Sequence, residues 1–346
     1  MTDEEHDSGV AYLNPAEGAV VPPPVASPPP SRDSRGSGPA RTLLLGSSEH
    51  PVDAPPPQGH PVVRGLIPGQ VVAGRYQVER WLGSGGSAMV HEVIELTSGA
   101  HLALKVLAVP GADASQIARF RQEVEHARGL AHPNIVRVYD VGVDGDRHFL
   151  TTELLVGMDL KRRLMGTRPT LAEALRWLTH AAAALEHAHG CGVLHRDVKP
   201  GNLFLTKPGI LKLMDFGLAK SSHVAGVTAQ GAVLGTPEYM APEQISGAHP
   251  VTPATDLYSL GIVAYELLTG QLPFRHPQPV PLMFLHVQQQ PVPPRTLTPS
   301  LPEPFERVVL KLMRKHPEQR YPSAAALRSD LARLWPLALP PKATSR

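Results

Sequence analysis

Among 346 residues there is a single cysteine, Cys191, so no internal disulfide can form, and a reducing compartment suits the chain. An excess of either charge is missing too: 33 Lys and Arg stand against 31 Asp and Glu, a formal +2. That balance supplies no global field for holding nucleic acid or a membrane surface. No uninterrupted apolar run reaches the ~18 residues of a membrane span. The longest candidate, Leu257 to Leu268, is broken by Ser259 and Glu266. The first residues, Met1-Thr-Asp-Glu-Glu, are acidic where a secretion signal would be basic and then apolar. These absences describe a soluble cytoplasmic protein, with room for one large domain or two ordinary ones.

What is present divides unevenly. Residues 1 to about 75 are crowded with Pro, Gly and Ser, as in Val21-Pro-Pro-Pro and Ser27-Pro-Pro-Pro, and show no sustained period. Such a segment buries too little apolar area to offset its ordering entropy, and its proline runs favour extended polyproline II. It reads as a disordered arm. Composition favours a solvated tail; a docking arm for a partner is the functional alternative.

The chemistry concentrates in His195-Arg196-Asp197-Val198-Lys199-Pro200-Gly201-Asn202, followed by Asp215-Phe216-Gly217. One acid, one lysine and one carboxamide fall within six residues, then a second acid precedes a glycine. Short apolar runs on either side of Lys207-Pro208-Gly209 predict a β-hairpin whose ends present these polar groups. Two acids and an Asn facing one site suit Mg²⁺, which takes oxygen ligands and keeps a substrate phosphate among them. An Asp beside such a metal can accept a proton from a hydroxyl nucleophile.

Upstream, Tyr76 to Leu82 and Val90 to Ile94 read as two strands around Gly83-Ser84-Gly85-Gly86-Ser87-Ala88. Glycines let backbone N–H groups approach phosphates, although an ordinary hairpin turn would look the same. Ala103 to Leu107 is a strand carrying Lys105 among apolar neighbours, and Ala114 to Leu130 is a helical pattern with Glu123 beside its apolar face. Ile135 to Tyr139 and His148 to Thr152 read as further strands around an Asp144-Gly145 turn. Leu171 to Gly190 and Thr255 to Thr269 are helices, the second stopped by Gly270, with terminal helices at Phe305 to Arg314 and Ser323 to Leu334. Residues 276–302 read as proline-rich loop around a short helix. His187, His189, Cys191 and His195 invite a zinc reading, but their spacing fits no helix-face pair or paired-cysteine pattern. Cys191 reads as a small buried hydrophobe.

Taken in order, these motifs resemble the signature set of the protein kinases, and most of all the bacterial eukaryotic-like (Hanks-type) serine/threonine kinases. The resemblance spans about residues 76–335 and leaves a short tail, 336–346. It implies an α+β, bilobal fold: an antiparallel sheet with one helix up to Thr152, a hinge, then a mostly helical lobe. ATP and Mg²⁺ are the implied cofactors. Leu82, Gly83, Ser84, Gly85, Gly86 and Val90 would cover the nucleotide. Ala103, Lys105, gatekeeper Thr152, Glu153 and Leu155 would line the rest of its site. The family's third loop glycine is Ala88 here. Lys105 would pair with Glu123, Asn202 and Asp215 would hold the metal, and Asp197 would be the base with Lys199 beside the γ-phosphate. Asp256 would hold the catalytic loop's backbone, His195 would pack on the metal turn, and Arg320 would pair with Glu243 of Ala241-Pro242-Glu243.

Lys199 and Thr236 are that family's marks of serine/threonine preference. Thr228 falls at its activation-loop phosphoacceptor position, where phosphate would pair with Arg196. Protein Ser/Thr hydroxyls are the implied substrates, with a transient homodimer for autophosphorylation in trans. The rival reading is a pseudokinase or scaffold; loss of Lys105, Asp197, Asn202 or Asp215 would have favoured it, and all four are present. A small-molecule kinase of related fold is discouraged by the complete segment through Glu243.

Overall fold

A computed structural model describes residues 66–85, 88–107, 128–145, 147–216 and 236–339. Two separate apolar clusters organise them. The smaller gathers Leu66, Val72, Tyr76, Val78, Val93, Leu102, Leu104, Val106 and Phe149. The larger runs through the C-terminal half and is built mainly from helices. Two cores make two lobes, and the expected bilobal α+β architecture is what the chain adopts.

The N-terminal lobe is an antiparallel sheet of β1 (Val71–Val72), β2 (Tyr76–Gly85), β3 (Ala88–Glu95), β4 (His101–Leu107), β5 (Val138–Asp144) and β6 (Arg147–Glu153), in the order β1-β2-β3-β4-β6-β5. Alternation sorts the faces of β4. Leu102, Leu104 and Val106 are buried in the small core, while Ala103 and Lys105 point the other way and stay half-exposed. Register then lines up one row, since Gly83 pairs with Val90, Val90 with Lys105, and Lys105 with Leu150. Ala103 is opposite Thr152. The glycine loop, the lysine strand and the gatekeeper are therefore cross-strand neighbours.

Two expectations shift here. The strand expected from Ile135 begins instead at Val138, because Ile135 forms a parallel bridge with Leu213 and Val136 N donates to the Leu213 carbonyl at 2.9 Å. Order also starts before residue 76. Leu66 is buried, β1 pairs with β2, and the turn between them uses left-handed backbone at Ala73 and Gly74. Helix Ala114 to Leu130 and the arm up to residue 65 lie outside the described residues, apart from Arg128 to Leu130.

In the second lobe, β7 (Gly157–Asp159), β8 (Leu203–Thr206) and β9 (Leu211–Leu213) form a small sheet in that order. The expected hairpin is β8–β9, turned at Gly209. Helices α1 (Leu160–Leu164), α2 (Leu171–Gly190), α3 (Pro242–Ser246), α4 (Pro253–Thr269), α5 (Pro279–Gln288), α6 (Pro294–Leu297), α7 (Glu303–Leu312), α8 (Ala324–Arg333) and α9 (Trp335–Ala338) surround it. α2 opens with a capping box between Thr170 and Glu173 and ends just before Cys191. α4 is buried on nearly every side, as its all-round apolar sequence requires, and stops at Gly270 in left-handed backbone. Gly261 lets α7 approach it, for a Cβ there would meet Leu312 Cβ at 2.7 Å. The short helix expected inside the proline-rich stretch 276–302 is α5, ten residues long.

Leu66 and Val72 are 6% and 1% exposed, so each contributes about 2 kcal/mol by burial. Deleting residues 1–65 is expected to leave the melting temperature near that of the full chain. Deleting 1–75 is expected to lower it by roughly 5 °C or more. Calorimetry on the two truncated proteins checks this; equal melting temperatures would refute the role given to β1 and Leu66.

Candidate active site

Between α2 and β8 the chain must turn sharply with its polar groups presented outward, and one carboxylate organises that turn. Asp256, near the start of α4 and 1% exposed, accepts from His195 N at 2.9 Å, Arg196 N at 2.7 Å and His189 Nε2 at 2.8 Å. Burial opposes its charge, but the His189 hydrogen bond and neighbouring charges, with the His195 N–H, hold the carboxyl below its ordinary range. These bonds keep Arg196 at φ 63°, left-handed backbone that a side chain adopts only under constraint.

His195 ties this loop to the next acid. Its Nε2 donates to the Met214 carbonyl at 2.7 Å and Nδ1 accepts from Asp197 N at 3.2 Å, an assignment set by the partners. Its ring meets Phe216 edge-on with centroids 4.7 Å apart. The next strained residue is Asp215 itself, at φ 58°. The two left-handed positions flank the site on both sides.

Asn202 Nδ2 donates to the Asp197 carbonyl at 2.8 Å and to Asp197 Oδ2 at 3.1 Å, which turns the carboxamide oxygen away as an acceptor. Lys199 Nζ lies 2.8 Å from Asp197 Oδ2 and donates to Thr236 Oγ1 at 3.0 Å. Across the lobes, Lys105 Nζ donates to Asp215 Oδ1 at 2.7 Å. The structure thus brings these residues into two bonded sets, Lys105–Asp215 and Asn202–Asp197–Lys199, joined through the backbone by Met214 N donating to the Asn202 carbonyl at 2.9 Å. Glu123, Gly86, Gly217 and Thr228 lie outside the described residues. Ser84 and Gly85 end β2, and Ala88 begins β3 opposite Gly85.

This donor set fits a hard divalent cation, since it offers carboxylate and carboxamide oxygens and no thiolate or imidazole. Among the described residues no group of three or more His, Cys, Asp or Glu could hold a metal. At Gly83 a Cβ would meet nothing within 4 Å, so the end of β2 borders open space there. Cys191, expected in a core, is exposed, because α2 has ended and the side chain leaves the lobe.

Several participants carried no sequence signal. Lys212 Nζ donates to Oε1 of Glu153, itself expected from the sequence, at 2.7 Å and Arg137 N donates to the same atom at 2.9 Å, bracing the end of β6 against β9. Gln244 Nε2 donates to the Arg196 carbonyl at 2.9 Å, and Ser259 Oγ to the Tyr239 carbonyl at 2.7 Å. A polar residue inside an otherwise apolar helix, as Ser259 is in α4, was the one available hint. Behind the site, Arg320 reaches Glu243 through Nη1 and Nη2 at 2.7 and 2.8 Å, both side chains being 0% exposed. Thr255 Oγ1 adds a bond to the same carboxylate at 2.7 Å.

Two lobes, with a lysine, two acids and an asparagine gathered in the two bonded sets above, are what the structure presents. Residues 76–331 match the protein kinase domain, and the chain belongs to that family. It is 35% identical over 268 residues to the serine/threonine-protein kinase PrkC of Bacillus subtilis, covering 77% of this chain and 41% of that protein. To the serine/threonine-protein kinase PknB of Mycobacterium tuberculosis it is 39% identical, covering 75% and 43%. The chain therefore spans about two fifths of the length of these curated relatives. Among solved structures, a mutant of the Mycobacterium tuberculosis PknI kinase domain matches with TM-score 0.63 and 28% identity, covering 78% of this chain and 98% of that one.

Burial opposes the charge of Glu243, but Arg320 overcomes it and holds the carboxyl below its ordinary 4.5. The pair's contribution is thus complete above about pH 4.5 and fades as pH falls. Arg320→Met strands a buried carboxylate at a cost of about 3–5 kcal/mol. It is expected to lower the melting temperature at pH 7 by roughly 10 °C. A shift within a degree or two would show the pair to be structurally idle.

Proposed function

We propose that the chain is a serine/threonine protein kinase, transferring the γ-phosphoryl group of Mg-ATP to protein hydroxyls. The observation that carries this reading is a pair of bonded sets, Lys105–Asp215 and Asn202–Asp197–Lys199–Thr236, tied through the backbone where Met214 N donates to the Asn202 carbonyl at 2.9 Å. Bound Mg-ATP supplies the phosphoryl group, and the metal offsets the charge that develops on it. Asn202 and Asp215 would hold that metal. Lys105 orients the phosphates, beneath backbone N–H groups of the loop around Gly83, Ser84, Gly85 and Gly86. Ala103, Thr152, Glu153 and Leu155, with Leu82 and Val90, receive the base and ribose. Asp197 orients the acceptor hydroxyl and takes its proton, held in place by Asn202 and by the Lys199 ammonium.

The kinase domain in this reading runs from Leu66 to about residue 339, and the arm before it serves as a tail or a docking segment. Location in the cytoplasm is part of the same proposal; among the described residues no helix is long and apolar enough to cross a membrane. Lys199 paired with Thr236 supports preference for Ser and Thr acceptors.

Incubation with labelled ATP, Mg²⁺ and a basic protein is expected to label both acceptor and kinase. Asp197→Asn or Lys105→Met is expected to reduce labelling by about 10³-fold or more. Equal labelling in Asp197→Asn would leave only a nucleotide-binding scaffold.

Control is proposed to act through Arg196, whose Nε is buried without a hydrogen-bond partner among the described residues. A phosphate on Thr228 would give that guanidinium an anion to grip bidentately. Thr228→Ala is expected to lower activity about tenfold or more. Mass spectrometry finding Thr228 unmodified in fully active protein would end this assignment and direct attention to Ser221 and Ser222.

A further inference from the structure

If the chain is a protein kinase, the turn Pro237–Tyr239 after Thr236 has to meet the acceptor chain, so whatever holds it decides how that chain is seated. Three tethers reach the segment from Lys199, Ser259 and Glu266, the last accepting from Tyr239 OH at 2.7 Å. A fourth group approaches from α5, which packs against the turn. His286 is 0% exposed, with Nδ1 3.1 Å from Tyr258 OH and its ring edge-on to Phe274 at 4.9 Å. Lys315 Nζ donates to the carbonyl of His286 at 2.7 Å and lies 4.5 Å from the Phe274 ring centre. Burial, with the Lys315 charge nearby, pushes the imidazole down to about 3. The ring is neutral at physiological pH, so if Nδ1 accepts from Tyr258, the proton sits on Nε2.

The imidazole reaches the main-chain carbonyl of Glu238 on that turn, a loose hydrogen bond, since Nε2 is buried without a well-aligned partner among the described residues. Glu238 Oε2, on the same turn, is also buried without a partner among the described residues. A position filled only for packing would take an aliphatic side chain, because an unpaired buried donor is costly. The buried imidazole is therefore a polar tether on the turn from the α5 side.

We propose that His286 is a positioning residue for the protein acceptor: seated by Tyr258, Phe274 and Lys315, it holds the turn at the Glu238 carbonyl, and so fixes Thr236 beside Lys199. The proposal rests on the kinase reading, and one assay separates the two. The full chain is tested with Mg-ATP and myelin basic protein as acceptor. H286Q keeps a donor near the place of Nε2; H286N keeps only a partner for Tyr258; H286L keeps neither. Expected are an acceptor KM within about twofold of wild type for H286Q and roughly tenfold higher for H286N and H286L. The KM for ATP is expected to stay unchanged in all three, with melting temperatures confirming that each variant folds. H286L at the wild-type acceptor KM would overturn the inference alone, as would equal losses in H286Q and H286L or a parallel rise in the KM for ATP. Wild-type protein that transfers no phosphate would overturn the kinase reading and this inference with it.

Discussion

A buried carboxylate is expensive unless every oxygen is used, and Asp256 uses both. Oδ1 takes Arg196 N, while Oδ2 takes His195 N and His189 Nε2. The arrangement is costly to assemble and costly to break, since loss of the donors would leave a charge in the core. Everything downstream leans on it. The left-handed Arg196 persists only because its N–H is held, and the following residues, Asp197 to Asn202, are aimed from that bend. Placing the anchor on α4, the most buried helix of the lobe, fixes it to the part of the protein least able to move.

The same logic recurs outward in layers. His195 transmits the anchored loop to Met214 and thereby to Asp215, and Asn202 closes the loop from its other end. Gln244 fastens α3 to the Arg196 carbonyl, and Glu243 beside it is locked by Arg320. These polar contacts are buried behind the site, while the groups free to face ligands are half-exposed in front of it. Rigidity is spent on backbone position; reactive side chains keep access to solvent and substrate.

Between the lobes the description is sparser and more electrostatic. Lys105 bridges to Asp215, and Lys212 to Glu153, so one ion pair spans the reacting end of the interface and another the hinge end. Both pairs are partly exposed, where screening makes each worth little in stability. Their value lies in geometry: they set where a strand of one lobe stands relative to a turn of the other.

The sequence by itself determined the family, the bilobal class, the β8–β9 hairpin and the long helices α2 and α4. Each of these is written locally, in period, in turn residues, or in short motifs whose spacing the chemistry dictates. It misplaced what depends on partners far along the chain. Ile135 has a strand former's composition, but Leu213 captures it. Val71 and Val72 sit in proline-rich company and still pair with β2, because the sheet offers an edge. Cys191 looked like core and lies outside, because helix α2 happens to end there. Only the tertiary structure decided that His286 and Lys315 pack together beside the turn after Thr236. Tyr258 and Lys315 stand 28 and 29 positions from His286, and no local pattern records a distance through space.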